Sequence, residues 1–268
     1  MNSQVDIIII GDSKDGNDVM EKIASSKPTI KVAFISREFK STTTHDYLNV
    51  EYIKEEVVFT DYKNRLFGCY LKNGDRIYGT HLIIASGLRY EPLVVNNKQI
   101  PCVFNTIDDI PKSAKTQPAV VLAEHNSDIK FALSVAKKYK QVYLCVKDLA
   151  IKGLTPANAK KLEEAKNIVT LPNTSLLKVI TTDNILQSIE LDNYSTVTCS
   201  AIFVKTASCP EIDFVSDKLI FRDSEGYLIV TDCAESTLVP KCFAIGNCTV
   251  KHTKQINKLL VETVLSDF

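Results

Sequence analysis

Apolar runs that stop at glycine, each followed by a helical rhythm, mark both ends of this chain. Val5–Gly11, VDIIIIG, has the pattern of a strand buried on both faces of a parallel sheet. Val19, Met20 and Ile23 then recur at helical spacing, and Ile30–Ser36, IKVAFIS, predicts a second buried strand. Together they make a βαβ unit of about 30 residues, the size of half a dinucleotide-binding domain. From Val50 to Thr80 the pattern changes to alternation, with Asn73-Gly74 as a hairpin turn. A small antiparallel excursion is expected there, followed by another buried strand at His81–Ser86 that ends at Gly87.

Between Ile100 and Thr116 the chain turns loop-like, with Pro101 and Pro111 as breakers and Asp108-Asp109 as a polar turn. The next stretch repeats the first unit in architecture: a strand at Pro118–Ala123, a helix with Ile129, Leu133 and Ala136 on one face, and a strand at Gln141–Val146. Thr155-Pro156 caps and opens a helix over Leu154–Lys166. Strands are expected in IVTL, SLLKVITT, ILQSIELD and TVTCSAIFV, before a turn near Thr206–Pro210. The last part reads as a turn and strand in Gly226–Asp232, GYLIVTD, then an apolar run through Val239 and Phe243–Ile245 that stops at Gly246. From Gln255, Ile256, Leu259, Leu260 and Val264 predict a helix. Strand, glycine turn and helix present backbone N–H groups at a helix N-terminus, an anion site when a ligand is there and merely a turn when it is not.

The candidate phosphate loop departs from the dinucleotide fingerprint. Gly11 and Gly16 occupy the first and last positions of G-x-G-x-x-G, but the middle position is Ser13, whose Cβ stands where backbone must approach a pyrophosphate. Asp12 and Asp15 add negative charge there, offset in part by Lys14. The acid that would hold ribose hydroxyls is Glu38, although the most direct register puts Ser36 at that place. In the second unit, Ala123–Asp128 contains no glycine, and Glu124 and Asp128 would both repel a pyrophosphate.

Composition narrows the class. Lys plus Arg equals Asp plus Glu, at 32 each, so no overall field favours nucleic acid or an anionic membrane. No apolar run approaches the roughly 20 residues that span a bilayer. The N-terminal MNSQVD lacks the features of a signal peptide, so a cytoplasmic location is expected. The eight cysteines include no Cys-x-x-Cys, and His45, His81, His125 and His252 do not sit near them in a ligand rhythm, so no metal is expected. Buried, unreactive thiols are the expectation, with Cys242 and Cys248 not a redox pair.

The order of these segments resembles the low-molecular-weight thioredoxin reductases, within the FAD-dependent pyridine nucleotide-disulphide oxidoreductases. The residues that carry it are the first glycine loop, ASGLRYEP at Ala85–Pro92, the second Rossmann-like unit, VTCSAIFVKTASCPEIDF, and GYLIVTD with VPKCFAIGNC ahead of Lys254-Gln255. The resemblance implies an α/β fold of two Rossmann-like three-layer domains with small antiparallel excursions. The second, of NAD(P)-binding type over residues 106–209, would be inserted into an FAD-binding type made of 1–105 and 210–268. It implies FAD against Gly11, Ser13, Gly16, Glu38, Ser86, Gly87, Gly246, Asn247 and Gln255. An NADPH turn would fall at Ala123-Glu124-His125, with its basic pair near Val146-Lys147. A homodimer is the family's assembly.

The departures are as informative. The region that carries the dithiol in members is Phe104-Asn105-Thr106-Ile107 here, and without two sulfurs reduced flavin has no exchange route to a disulfide. Asn247 replaces an acidic residue, and the segment from Ser36 to Val50 is shorter than in relatives. These departures leave two expectations. One is a scaffold without NADPH chemistry and with no catalytic residue, acting as a binding or structural protein through a protein partner. The other is an FAD-dependent oxidoreductase fed by a donor other than NADPH.

Overall fold

The computed structural model describes residues 2–39, 47–100, 102–106, 117–183, 185–250 and 254–268, without the side chains of Asn2, Lys254 and Gln255. The shortened segment from Ser36 to Val50 and the loop of Pro101, Asp108-Asp109 and Pro111 fall wholly or partly outside those residues, as do Ile107, His45 and His252. The chain divides into two compact units, one from Met1–Arg89 with Ser208–Phe268, the other from Tyr90–Ala207. The first break falls ahead of strand Val103–Phe104, because that strand pairs in parallel with Ala201–Phe203 in the middle unit's sheet.

The first unit opens with β1 (Asn2–Ile10), α1 (Lys14–Ser26), β2 (Val32–Ser36) and β3 (Val50–Lys54), followed by β4 (Val57–Lys63), β5 (Leu66–Leu71) and β6 (Arg76–Ile84). The sheet runs in the order β3-β2-β1-β6-β5-β4, with strand Cys242–Ala244 also paired to β6. Pairings among β1, β2, β3 and β6 are parallel, as is that of Cys242–Ala244, whereas β4, β5 and β6 form the antiparallel excursion. The two segments read as separate strands, RIYGT and His81–Ser86, are one. Residues 76–79 of β6 pair with β5 and residues 82–84 pair with Cys242–Ala244, so one strand changes partner midway.

The unbroken apolar run of β1 has a simple cause. Ile7 and Ile9 pack on one face with α1 and a C-terminal helix, α4 (Lys254–Ser266), while Ile8 and Ile10 pack on the other with Leu82, Ile84, Leu228 and Val230. Each isoleucine is removed from water, at about 1.5–3 kcal/mol per side chain. The helical rhythm of Val19, Met20 and Ile23 meets that of Ile256, Leu260 and Val264 in the same core. GYLIVTD is not a strand: it makes only single bridges, Arg222 with Leu228 and Leu228 with Thr249. Its apolar residues are used differently, with Leu228 and Val230 plugging the second core while Ile229 is exposed.

In the middle unit five strands are all parallel, in the order Val103–Phe104, Ala201–Phe203, Ala119–Ala123, Val142–Val146 and Ile168–Pro172. Helices α2 (Asn126–Ala136) and α3 (Pro156–Glu164) accompany them, α3 capped by the Thr155 side chain. Leu176–Thr182, Ile185–Leu191 and Thr196–Thr198 form an antiparallel meander. TVTCSAIFV is therefore two strands in two sheets, broken at Cys199-Ser200, rather than one. Phe203, fully buried, is ringed by Phe104, Phe131 and Tyr139 with centroids 5.7–5.8 Å away. Among the described residues no helix is long and apolar enough to cross a membrane.

Candidate functional site

The turn from β1 into α1 is held by its own side chains. Ser13 is the N-cap of α1, and its Oγ accepts the Gly16 N–H at 3.2 Å. Asn17 Nδ2 donates to the Asp12 carbonyl at 2.7 Å. Gly11 has φ +104°, and a Cβ there would lie 2.4 Å from the Ala85 carbonyl oxygen; at Gly16 a Cβ would lie 2.4 Å from the Gly11 carbonyl oxygen. Gly11 is thus required by close approach of the loop to the end of β6, and Gly16 by its close approach to Gly11 within the loop. Their spacing serves packing whether or not a ligand is bound.

Beside this turn is a cavity of about 490 Å³, lined by Gly11, Asp12, the end of β2 at Ser36–Glu38, Glu55, Ser86, Glu211 and Phe214. The structure therefore brings Gly11, Glu38 and Ser86 to one space, and it adds Asp12, Glu55 and Glu211. Ser36 ends β2, as the register predicts, and its Oγ donates to Asp12 Oδ1 at 3.1 Å or to the Glu38 carbonyl at 3.0 Å. Glu38 lies two residues further and is exposed. Arg37, the one cation among the described residues of the lining, pairs with Glu211. Ser86 Oγ is buried with no partner in hydrogen-bond geometry, beside the Cys248 thiol, which burial pushes up to about 11.

The C-terminal glycine turn approaches the same helix end. Gly246 has φ +78°, and a Cβ there would lie 3.2 Å from Asp15 Oδ2. The Asp15 carboxylate also accepts from Asn257 Nδ2 at 2.6 Å, so it joins α1 to α4 across the turn. Asn247 is exposed in the short 3-10 turn Gly246–Cys248. Gly87 has φ +74°, and its carbonyl accepts the Glu211 N–H at 3.1 Å. Gln255 falls in the first turn of α4. Asn257, Glu55 and Glu211 have no local pattern that singles them out; they reach the site from distant segments.

A dinucleotide diphosphate needs free N–H donors at the start of α1. Here Ser13 Oγ takes the Gly16 N–H, Asp15 stands in the first turn, and Asp12, Glu38, Glu55 and Glu211 surround the neighbouring cavity against Arg37 alone among the described residues. Fixed carboxylates at a helix N-terminus oppose an anionic ligand there. The occupied Gly16 N–H and the surrounding carboxylates therefore oppose a diphosphate at this turn.

The middle unit repeats the device. The turn after Ala119–Ala123 is closed by Asp128, whose Oδ2 accepts the N–H groups of Glu124 and His125 at 3.0 and 2.9 Å. Asp128 is buried, and Lys147 lies 3.5 Å from Glu124. A second cavity of about 520 Å³ opens here. All eight cysteines are free thiols. Burial pushes Cys69, Cys199 and Cys242 up to about 12, and Cys145 to about 11, which removes them from nucleophilic chemistry at neutral pH. Among the described residues no group of three or more His, Cys, Asp or Glu could hold a metal ion.

Solved structures share this architecture. The chain matches the thioredoxin reductase of Lactococcus lactis (FR conformation) with TM-score 0.67 at 17% identity, over 98% of both chains. It matches that of T. acidophilum with TM-score 0.68 at 16% identity, again over 98% of both. The thioredoxin reductase from Streptococcus pyogenes matches at 0.63 and 17%, over 100% of each. At such identities the likeness is one of fold, which is that of the two-domain thioredoxin reductases. No curated protein sequence matches the chain. The family model described as pyridine nucleotide-disulphide oxidoreductase matches residues 7–246. With most of its length covered by that model, the chain belongs to the pyridine nucleotide-disulphide oxidoreductase family.

Proposed function

We propose that this family member keeps the thioredoxin reductase scaffold and has given up its electron-transfer chemistry, acting as a non-catalytic binding or structural protein. The observation that carries this reading is the filling of both helix N-termini by side chains of the protein itself: Ser13 with Asp15 at α1, and Asp128 at α2. Where a nucleotide-binding member needs donors for phosphate, these turns supply acceptors and negative charge. The sequence supports the same conclusion, since no Cys-x-x-Cys is present to pass electrons to a disulfide. In this reading NADPH is not a ligand, and the protein acts through a protein partner in the cytoplasm, where free thiols are the rule. Homodimer formation is the assembly that goes with the scaffold.

The test is direct. Purified protein should be colourless, and its melting temperature should not move on addition of FAD or NADPH at many times a micromolar Kd. A tightly bound, reducible flavin would overturn the reading.

A second reading is an FAD-dependent oxidoreductase fed by a donor other than NADPH. The positive φ of Gly11, Gly87 and Gly246 and the buried Ser86 hydroxyl that lines the cavity favour it. In that case Ser86, Gly246 and Asn247 would hold the cofactor, which would supply the electron chemistry, and Glu38 would hold ribose hydroxyls. Absorbance of a bound flavin, bleached by dithionite and not by NADPH, would establish it.

A further inference from the structure

The cavity of the middle unit is lined by groups of opposite character. The buried Asp128 carboxylate, which accepts the N–H groups of Glu124 and His125, stands at the start of α2. Leu93, Val95, Leu122, Leu176 and Val204 supply apolar lining to the same space. At about 520 Å³, the space falls within the range of pockets that take small organic molecules. Such pockets combine apolar walls with one or two charged groups that fix orientation.

Two lysines line this cavity. Lys147 is balanced by Glu124 at 3.5 Å. Lys205 instead lies over the Phe131 ring, 5.9 Å from its centroid, and among the described residues no carboxylate pairs with it. Its charge is available to a ligand. Asp128 repels a second anionic group, and least so a ligand that carries only one.

We propose that this cavity binds an amphipathic organic monoanion, a flat apolar body with one carboxylate or sulfonate, the body against the leucine and valine wall and the anionic group toward Lys205. The proposal rests on the non-catalytic reading only in excluding NADPH from the same space.

Anilinonaphthalene sulfonate has this chemistry and tests it on the full-length folded protein. Its fluorescence should rise in a saturable titration with one site per chain. Lys205→Glu, at an exposed position, should weaken binding about tenfold, the loss expected for one charge-assisted contact. Ser175→Trp, which plants an indole in the lining, should abolish it. Circular dichroism and melting temperature establish that each variant is folded, and Lys205→Glu decides alone if Ser175→Trp is not. Pyrophosphate and NADPH at millimolar concentration should not displace the probe. Non-saturable fluorescence, or saturable binding that Lys205→Glu leaves unchanged, overturns the proposal. Displacement by NADPH overturns both it and the non-catalytic reading, whereas absence of probe binding in a protein that also ignores NADPH overturns the proposal alone.

Discussion

His81 Nε2 lies 2.9 Å from Asp267 Oδ2, which ties a buried imidazole on β6 to a carboxylate 186 residues further along the chain. Lys241 Nζ reaches the same carboxylate at 3.2 Å, and the Phe268 ring leans on the imidazole at 4.9 Å. On the other side, His81 Nδ1 faces Thr80 Oγ1 at 2.9 Å. Burial above all holds His81 below its ordinary 6.5, against the hydrogen bond with Asp267 that favours its charged form. The hydrogen bond with His81 in turn holds Asp267 below 3.8.

Both shifts act in one direction. A histidine whose pKa is depressed on folding takes up its proton first in the unfolded chain. Stability therefore falls as pH drops below about 6.5, and levels off below the folded value. The Asp267 contribution is present above 3.8 and is lost as pH falls through its own folded pKa. Urea midpoints should be lower at pH 5 than at pH 7.5, and His81→Gln should reduce the difference between them. A midpoint that rises on acidification in the native protein and not in the variant would contradict this.

Gly11→Ala should destabilise the first unit by at least about 2 kcal/mol, because an added Cβ meets the Ala85 carbonyl at 2.4 Å in a left-handed backbone. The measurement is denaturant unfolding without any ligand. A neutral substitution would mean that the glycine is not required by packing, and would return it to ligand binding alone.

Ser13→Ala removes the cap of α1 and should cost about 1 kcal/mol, while Ser13→Gly should cost only a few tenths. If the acidic loop is what bars a diphosphate, Asp12→Asn combined with Ser13→Gly should raise FAD affinity at least about tenfold, by the scale of one charged contact. Fluorescence quenching of added FAD reads this out, and an unchanged affinity would move the cause to Asp15 and the cavity carboxylates.

In the middle unit, Phe203→Ala should cost about 3–5 kcal/mol, since three aromatic rings lose their common neighbour. Calorimetry should show the unfolding of the variant's middle unit displaced to lower temperature. A loss under about 1 kcal/mol would mean that the site collapses around the deletion.

Thiol titration of the native protein should label Cys102, Cys209 and Cys233, which are partly exposed, well before the five buried thiols. Fast labelling of Cys242 or Cys248 would contradict their burial and their raised pKa.

Much of the fold was legible from residues near one another in sequence. The strand of Ile7–Ile10, the cap at Thr155 and the helix of Ile256, Leu260 and Val264 follow from local periodicity and turn chemistry, and all occur where that pattern puts them. The errors fall where a segment answers to distant partners. β6 is one strand because two neighbours share it, and GYLIVTD is no strand because Leu228 makes only single bridges, to Arg222 and to Thr249. The turn between β1 and α1 was readable at Gly11, Ser13 and Gly16. Glu55, Glu211 and Asn257 enter the candidate site only through tertiary approach, and no local pattern announces that.

The pairing of Cys242–Ala244 with β6 also bears on the order in which the chain can fold during synthesis. The middle unit is complete once residue 207 has been made. The first unit then still lacks the strand beside Leu82–Ile84 and the helix that covers Val19, Met20 and Ile23. Its apolar segments, made first, wait longest for their cover, so a chain truncated before residue 242 should expose them and aggregate.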